Sequence, residues 1–213
     1  MAEVRGDVVA VLLAGGQARR MGGGDKCLQP LGGRPLLAHV IARIGPQVGP
    51  MVLNAGGEPD RFADFGLPVI PDIVPGFAGP LAGILSGLEW VVREVPDCRW
   101  VLSVPTDAPF LPHDLVARMV HDVLEAGEGA LACGASAGRR HPVVGLWPLA
   151  CRDPLRVALV ENDVRKIDAF TADYACVAVE YPDQPYDPFL NANRPEDLAL
   201  AETFLGEAGL SPD

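Results

Sequence analysis

The run Val8–Leu13, VVAVLL, has no polar residue at odd or even positions. Alternate side chains of a strand point to opposite faces, so this segment reads as a strand covered on both sides, the pattern of a parallel sheet packed between helices. Further strands are expected at Met51–Asn54, Leu67–Ile70, Trp100–Val104, Ala130–Cys133, Val143–Trp147 and Cys176–Glu180. Apolar spacing near 3.6, with prolines and glycines at the ends, predicts helices over Pro35–Ile44, Pro80–Arg93, Leu111–Leu124, Pro154–Glu161, Val164–Ala172 and Pro195–Phe204. This alternation predicts an α/β chain: a single-domain, Rossmann-like, open, mostly parallel mixed sheet with helices on both faces. No helix separates Ala130–Cys133 from Val143–Trp147, so a hairpin-like excursion is expected there. Residues 1–213 carry no internal repeat or linker and read as one domain, with 206–213 as a frayed tail. Ligands of such sheets collect beyond the carboxyl ends of the strands, which directs attention to the loops after Leu13, Asn54, Ile70 and Val104.

Composition removes several function classes. Hydrophobic residues make up 49% of the chain and charged ones 21%, enough to bury a core. Seventeen basic residues against 28 acidic ones give a net charge of −11, which leaves no footprint for duplex nucleic acid or an anionic membrane. No apolar run approaches the roughly 20 residues of a membrane span, and Met1–Asp7 is short and polar, so a cytoplasmic protein is expected. The five cysteines, Cys27, Cys98, Cys133, Cys151 and Cys176, form no C-x-x-C pair; they read as small buried hydrophobes, without a disulfide framework or zinc site. His39, His113 and His121 have no ligand spacing.

Chemistry concentrates after the first strand. Seven of the 24 glycines fall between Gly15 and Gly33, and between Gly15 and Arg34 four positive residues (Arg19, Arg20, Lys26, Arg34) face Asp25 alone, a local charge of +3. Glycines let backbone N–H groups approach phosphate oxygens, and basic side chains neutralise them. The chain uses 15 arginines but only two lysines, Lys26 and Lys166, so a lysine here suggests a compact ammonium set against a phosphate. The segment is not a P-loop, because Cys27 follows Lys26, and it lacks the G-x-G-x-x-G dinucleotide fingerprint.

Other constellations admit two readings each. Asp107, just past a buried strand, suits Mg²⁺ ligation or a turn cap. Asn54 and Asp72 end strands where they could read nucleoside edges or cap turns. Gly79 and Gly83 flank Pro80 at a helix start, either for close approach of a ligand or for plain turn-making. Arg139, Arg140 and His141 form a second basic cluster or an exposed hairpin tip. Asn191 and Asn193 could lend carbonyl oxygens to a site or cap the last helix.

The segment LAGGQARRMGGGDK resembles the phosphate loop of nucleotidyltransferases with an R-M-G-x-x-x-K core, and within them the bacterial molybdenum cofactor guanylyltransferases. The resemblance continues in order through VLNA at Val52, Pro71-Asp72, GPLAG at Gly79, PTDAPF at Pro105, His141-Pro142 and NANRPEDL at Asn191. It implies transfer of GMP from Mg·GTP to the terminal phosphate of a molybdopterin-type cofactor, with Mg²⁺ as cofactor. It further implies GTP contacts from Leu13, Ala14, Gly15, Gly16, Lys26, Asn54, Asp72, Gly79, Gly83 and Asp107. Lys26, Arg20 and Asp107 would carry catalysis, Asp107 the metal, and Arg139, Arg140, His141, Asn191 and Asn193 the molybdopterin side. Apo-molybdoenzymes or their chaperones are the expected recipients of product. A cytidylyltransferase for the same cofactor, or transfer to another small phosphorylated acceptor, stays open, as does a non-catalytic nucleotide-binding module. Intact Lys26 and Asp107 argue against the last.

Overall fold

The computed structural model describes residues 5–15, 25–74, 76 and 79–207. Seven strands form one sheet: β1 (Val8–Leu13), β4 (Met51–Asn54), β5 (Val69–Ile70), β6 (Trp100–Pro105), β7 (Leu131–Ser136), β8 (Arg139–Pro148) and β9 (Cys176–Tyr181). Their order is β5-β4-β1-β6-β8-β7-β9, and every neighbouring pair is parallel except the two that β8 makes. A small antiparallel ribbon, β2 (Pro30–Leu31) with β3 (Arg34–Pro35), stands apart. Helices are α1 (Leu36–Ile44), α2 (Pro80–Glu94), α3 (Leu115–Ala126), α4 (Arg152–Val160), α5 (Ile167–Thr171) and α6 (Pro195–Glu207). Among the described residues no helix is long and apolar enough to cross a membrane.

The uniform apolarity of β1 has its expected cause. Val8, Ala10 and Leu12 pack with Leu37, Val40 and Ile44 of α1 and with Met119 of α3 on one face. Val9 and Val11 pack with Leu81, Ile84, Leu85 and Leu88 of α2 on the other, beside Leu155 and Leu159 of α4. All five of these β1 side chains are fully buried. Contact between α2 and β1 is close because Gly87 has no side chain; a Cβ there would stand 2.2 Å from Val11 Cγ2.

The hairpin excursion is present, with a topology that the strand pattern alone left open: β8 does not extend the edge but inserts between β6 and β7. Its turn, Ala137-Gly138, has φ of +50° and +71°, the signs of a type I′ turn that matches the twist of the strands. Pairing shifts from Gly134↔His141 to Cys133↔Gly145, so Pro142 falls in a bulge where no ladder N–H is needed. Fully buried Ser103 donates its hydroxyl to Val143 O at 2.8 Å and accepts Trp147 Nε1–H at 2.9 Å, which pins that bulge to β6.

Several expected boundaries shift. β5 is two residues rather than four, the helix expected from Leu111 begins at Leu115, and the ribbon at Pro30–Pro35 had no strand signal. Helix α6 runs through Gly206 to Glu207, past the start of the expected tail, whose remainder lies outside the described residues.

Candidate active site at the carboxyl edge of the sheet

Ladder pairing puts Ile70, Asn54, Leu13 and Pro105 side by side, so four parallel strands end at one level. The residues that follow them, Ala14, Ala55, Asp72 and Asp107, share that edge. Because β8 runs the opposite way, its beginning, Arg139 to His141, reaches the same edge.

On one side of the edge, Asn54 Nδ2 donates to Asp72 Oδ1 at 3.0 Å and to Ile70 O at 3.3 Å. Asn54 is buried, and Gly83 in the first turn of α2 makes room for it: a Cβ there would lie 2.3 Å from Asn54 Oδ1 and 2.7 Å from Leu13 Cδ2. Gly79, at φ +74°, supplies a backbone conformation that side chains rarely adopt, and Pro80 opens the helix behind it. The loop carrying Asp72 is tied to α2, since Ile73 N donates to Ser86 Oγ at 3.0 Å. Asp72 Oδ2 has no partner among the described residues. These groups border a cavity of about 460 Å³ lined by Leu13, Gly15, Asn54, Asp72, Gly79, Pro80, Pro105 and Val143.

Across Pro105 lies the charged centre. The ammonium of Lys26 bonds both Asp107 Oδ2 and Asn193 Oδ1, bringing together residues 81 and 167 positions apart. Asp107 Oδ1 is buried and without a hydrogen-bond partner, while the Asp107 carbonyl accepts Ala192 N–H at 2.9 Å. The Asn191–Arg194 turn is held in place by Asp197, whose carboxylate accepts the backbone N–H groups of Asn193 and Arg194 at 2.9 Å each. Arg61 clamps the lysine segment from behind by donating to Asp25 and to the carbonyls of Gly56 and Glu58. Cys27, beside Lys26, is no nucleophile: burial, helped by Asp25, pushes its thiol up to about 11.

Beyond this centre a second cavity, about 540 Å³, is lined by Arg139, His141, Asp187, Phe189, Leu190, Asn191, Asn193, Arg194 and Asp197. Asn193 belongs both to its wall and to the Lys26 cluster, while Pro105, two residues before Asp107, lines the first cavity. A further cavity of about 390 Å³, beside the ribbon and α6, contains none of these groups.

The structure thus brings Leu13, Gly15, Asn54, Asp72 and Gly79 to one cavity, with Ala14 and Gly83 directly behind, and Lys26, Asp107 and Asn193 to the centre. Arg139, His141 and Asn191 line the second cavity. Arg140 is not with them. Strand alternation turns it to the opposite face of β8, where Nη2 donates to Cys176 O at 2.6 Å, away from the cavity that Arg139 and His141 line. Gly16 and Arg20 lie outside the described residues. Sequence reasoning missed Arg61, Ser136, Asp187 and Phe189, none of which sits in a motif.

The MobA-like NTP transferase domain matches residues 10–177. The chain is 56% identical over 193 residues to a molybdenum cofactor guanylyltransferase of Rhodopseudomonas palustris (strain BisB5), covering 91% of each. It is 57% identical over 195 residues to one of Bradyrhizobium sp. (strain ORS 278), covering 92% of each. Its fold is similar to molybdopterin-guanine dinucleotide biosynthesis protein A of Archaeoglobus fulgidus, at TM-score 0.71 and 22% identity over 93% of this chain and 99% of that one. A 4-diphosphocytidyl-2C-methyl-D-erythritol synthase of Anaerococcus prevotii shares the fold equally well, at TM-score 0.72 and 12% identity over 97% and 99%. The fold alone is therefore silent about the base.

Proposed function

The chain belongs to the MobA-like NTP transferase family, and from that premise we propose that it transfers GMP from GTP to the terminal phosphate of the molybdenum–molybdopterin cofactor. One observation carries the reading: the Lys26–Asp107–Asn193 cluster, whose Asn193 lines the second cavity, stands at the same sheet edge as the Asn54–Asp72 cavity, in a chain more than half identical to named guanylyltransferases. An oxygen of the acceptor phosphate forms the new bond to the α-phosphorus, and the bond to the bridging oxygen breaks to release pyrophosphate. The acceptor brings its own nucleophile, so the protein's part is alignment and charge neutralisation.

Guanine is placed in the Asn54–Asp72 cavity. Asn54 holds Asp72 Oδ1, leaving Oδ2 to accept guanine's N1–H and exocyclic amine. Gly15 and Lys26, with Gly16 and Arg20 in the same loop, take the phosphates; the acceptor lies against Arg139, His141 and Asn191. The centre fits a divalent cation: Asp107 Oδ1 is an unpartnered buried carboxylate oxygen, and Asn193 offers a carbonyl oxygen beside it. Mg²⁺ held by Asp107, with Asn193 close by, would neutralise phosphate charge. Lys26, in the same cluster, would offer its ammonium to the phosphates. A cytoplasmic protein, acting as one domain and passing product to apo-molybdoenzymes or their chaperones, belongs to the same reading.

The rival is cytidylyl transfer, which the shared fold permits. Parallel transfer assays with GTP and CTP decide. A base-reading carboxylate left unpaired by the wrong base should favour GTP by at least about 10²-fold, and equal turnover with CTP rejects the guanylyl assignment.

A further inference from the structure

At the wall of the second cavity His141 is linked to two side chains, Ser136 and Asp187, that the chemistry above leaves without a role. Ser136, the last residue of β7 and 1% exposed, donates its hydroxyl to Asp187 Oδ1 at 2.9 Å. The same hydroxyl lies 2.8 Å from His141 Nε2. Asp187 Oδ1 also accepts Phe189 N–H at 2.9 Å, and the Phe189 ring lies 4.7 Å from that of His141 at an interplanar angle of 31°. The backbone leaves room for this stack, since a Cβ on Gly134 would lie 2.6 Å from Phe189 Cζ.

Proton counting assigns the tautomer. A serine hydroxyl has one hydrogen, and Asp187 takes it. The bond between Ser136 Oγ and His141 Nε2 must then use the imidazole's hydrogen, so Nε2 is protonated and the neutral ring keeps its lone pair on Nδ1. Nδ1 has no partner among the described residues and is not a buried unpartnered atom, so it is accessible on a ring that lines the cavity. Burial, reinforced by Arg139, lowers the ring's pKa from the usual histidine value against the opposing pull of Asp187 and Glu180, which favours the neutral ring.

We propose that Asp187 and Ser136 are positioning residues that set His141 in its Nε2–H form, so that Nδ1 accepts an N–H of the acceptor's nitrogen heterocycle. The proposal rests on the molybdopterin reading of the acceptor. It makes the second cavity discriminating: a phosphorylated acceptor without ring N–H groups would leave that lone pair unpaired against an anion.

Protein labelled with ¹⁵N-histidine tests the assignment directly, because long-range ¹H–¹⁵N correlations distinguish the two tautomers. Wild type at pH 8 should give His141 with Nε2 protonated and Nδ1 bare. Asp187→Asn keeps an acceptor oxygen for Ser136 and should preserve that pattern, whereas Ser136→Ala should lose it. In kinetics, Ser136→Ala and His141→Phe should raise the KM for the molybdopterin acceptor about 10–100-fold, the range of an orienting hydrogen bond, with the KM for GTP within about twofold of wild type. Protonated Nδ1 with bare Nε2 in the wild type, or equal rises in both KM values, overturns the proposal. Absence of GMP transfer by the wild type would instead reject the functional reading, and with it the ligand named here, while the ring-nitrogen pattern decides the tautomer independently.

Discussion

An ammonium held between a carboxylate and an amide oxygen pairs Lys26 with one oxygen of Asp107 and leaves the other unpartnered, while both side chains are largely buried, at 11% and 18% exposure. Replacing either should therefore separate charge from shape. Asp107→Asn keeps an oxygen for Lys26 and should fold, with transfer down by about 10²–10³-fold, the range for loss of one aimed charge or dipole. Lys26→Ala should weaken GTP binding and slow transfer together, and Lys26→Arg should not restore both, since a planar guanidinium cannot take the place of a compact ammonium. Steady-state kinetics alongside thermal melts check this; wild-type turnover by Asp107→Asn would move the metal elsewhere. Cysteines divide as sharply. Burial pushes Cys151 up to about 12, but half-buried Cys176 falls to about 7, chiefly through a hydrogen bond from Cys133 and then through Arg140. It is also the one cysteine of the five that is not fully buried. Iodoacetamide at pH 7.5 should alkylate Cys176 at least about tenfold faster than the other four thiols, with peptide mass spectrometry as the readout. Asn54, Asp72 and Asp107 were legible because each sits at or just past a strand end in a local motif, and Lys26 because it closes a glycine-rich segment in a chain with only two lysines. Ser136 with Asp187 and Arg61 with Asp25 were not, since 51 and 36 residues separate the partners and only tertiary structure joins them.

Helix α2 serves the core and the site through two glycines one turn apart. Gly83 faces Asn54, and Gly87 faces Val11. Gly83→Ala should displace Asn54, free Asp72 and lower kcat/KM for GTP by about 10²-fold, the cost of misplacing a positioning group by an ångström. Gly87→Ala should cost about 1–3 kcal/mol of stability through overpacking and leave the kinetics of the folded fraction unchanged. Denaturant titration and GTP kinetics on the same two proteins separate the effects; similar kinetic loss in both would refute the division. At this scale the sequence was most readable where an element buries two faces or one long stripe, as β1 and α2 do. It was least readable where tertiary contact alone makes an element: the ribbon has two residues per strand, and β5 exists only where β4 pairs with it.

The whole molecule is an acidic body with a cationic focus, and ligand binding should register in its stability. GTP with Mg²⁺ at about 100 times its Kd should contribute about 2.7 kcal/mol, which for a chain of this size raises Tm by about 5–10 °C. CTP at equal concentration should shift Tm less, and calorimetry should show one transition if residues 5–207 act as one unit; equal shifts would deny the site its base preference. The mixed character of the sheet was legible from the missing helix between two strand signals, whereas the insertion of β8 was not, because strand order is set by pairing partners that local pattern does not encode. That insertion has a consequence for how the molecule can change. Only the Ala137-Gly138 turn joins strand to strand directly at the site edge; the other described connections there lead into helical structure. Residues added to that turn would lengthen one wall of the second cavity while every parallel register stayed as it is. On the reading proposed above, the acceptor half would in that sense be an interchangeable fitting, open to variation in reach and shape, mounted on a nucleotide half that need not be retuned.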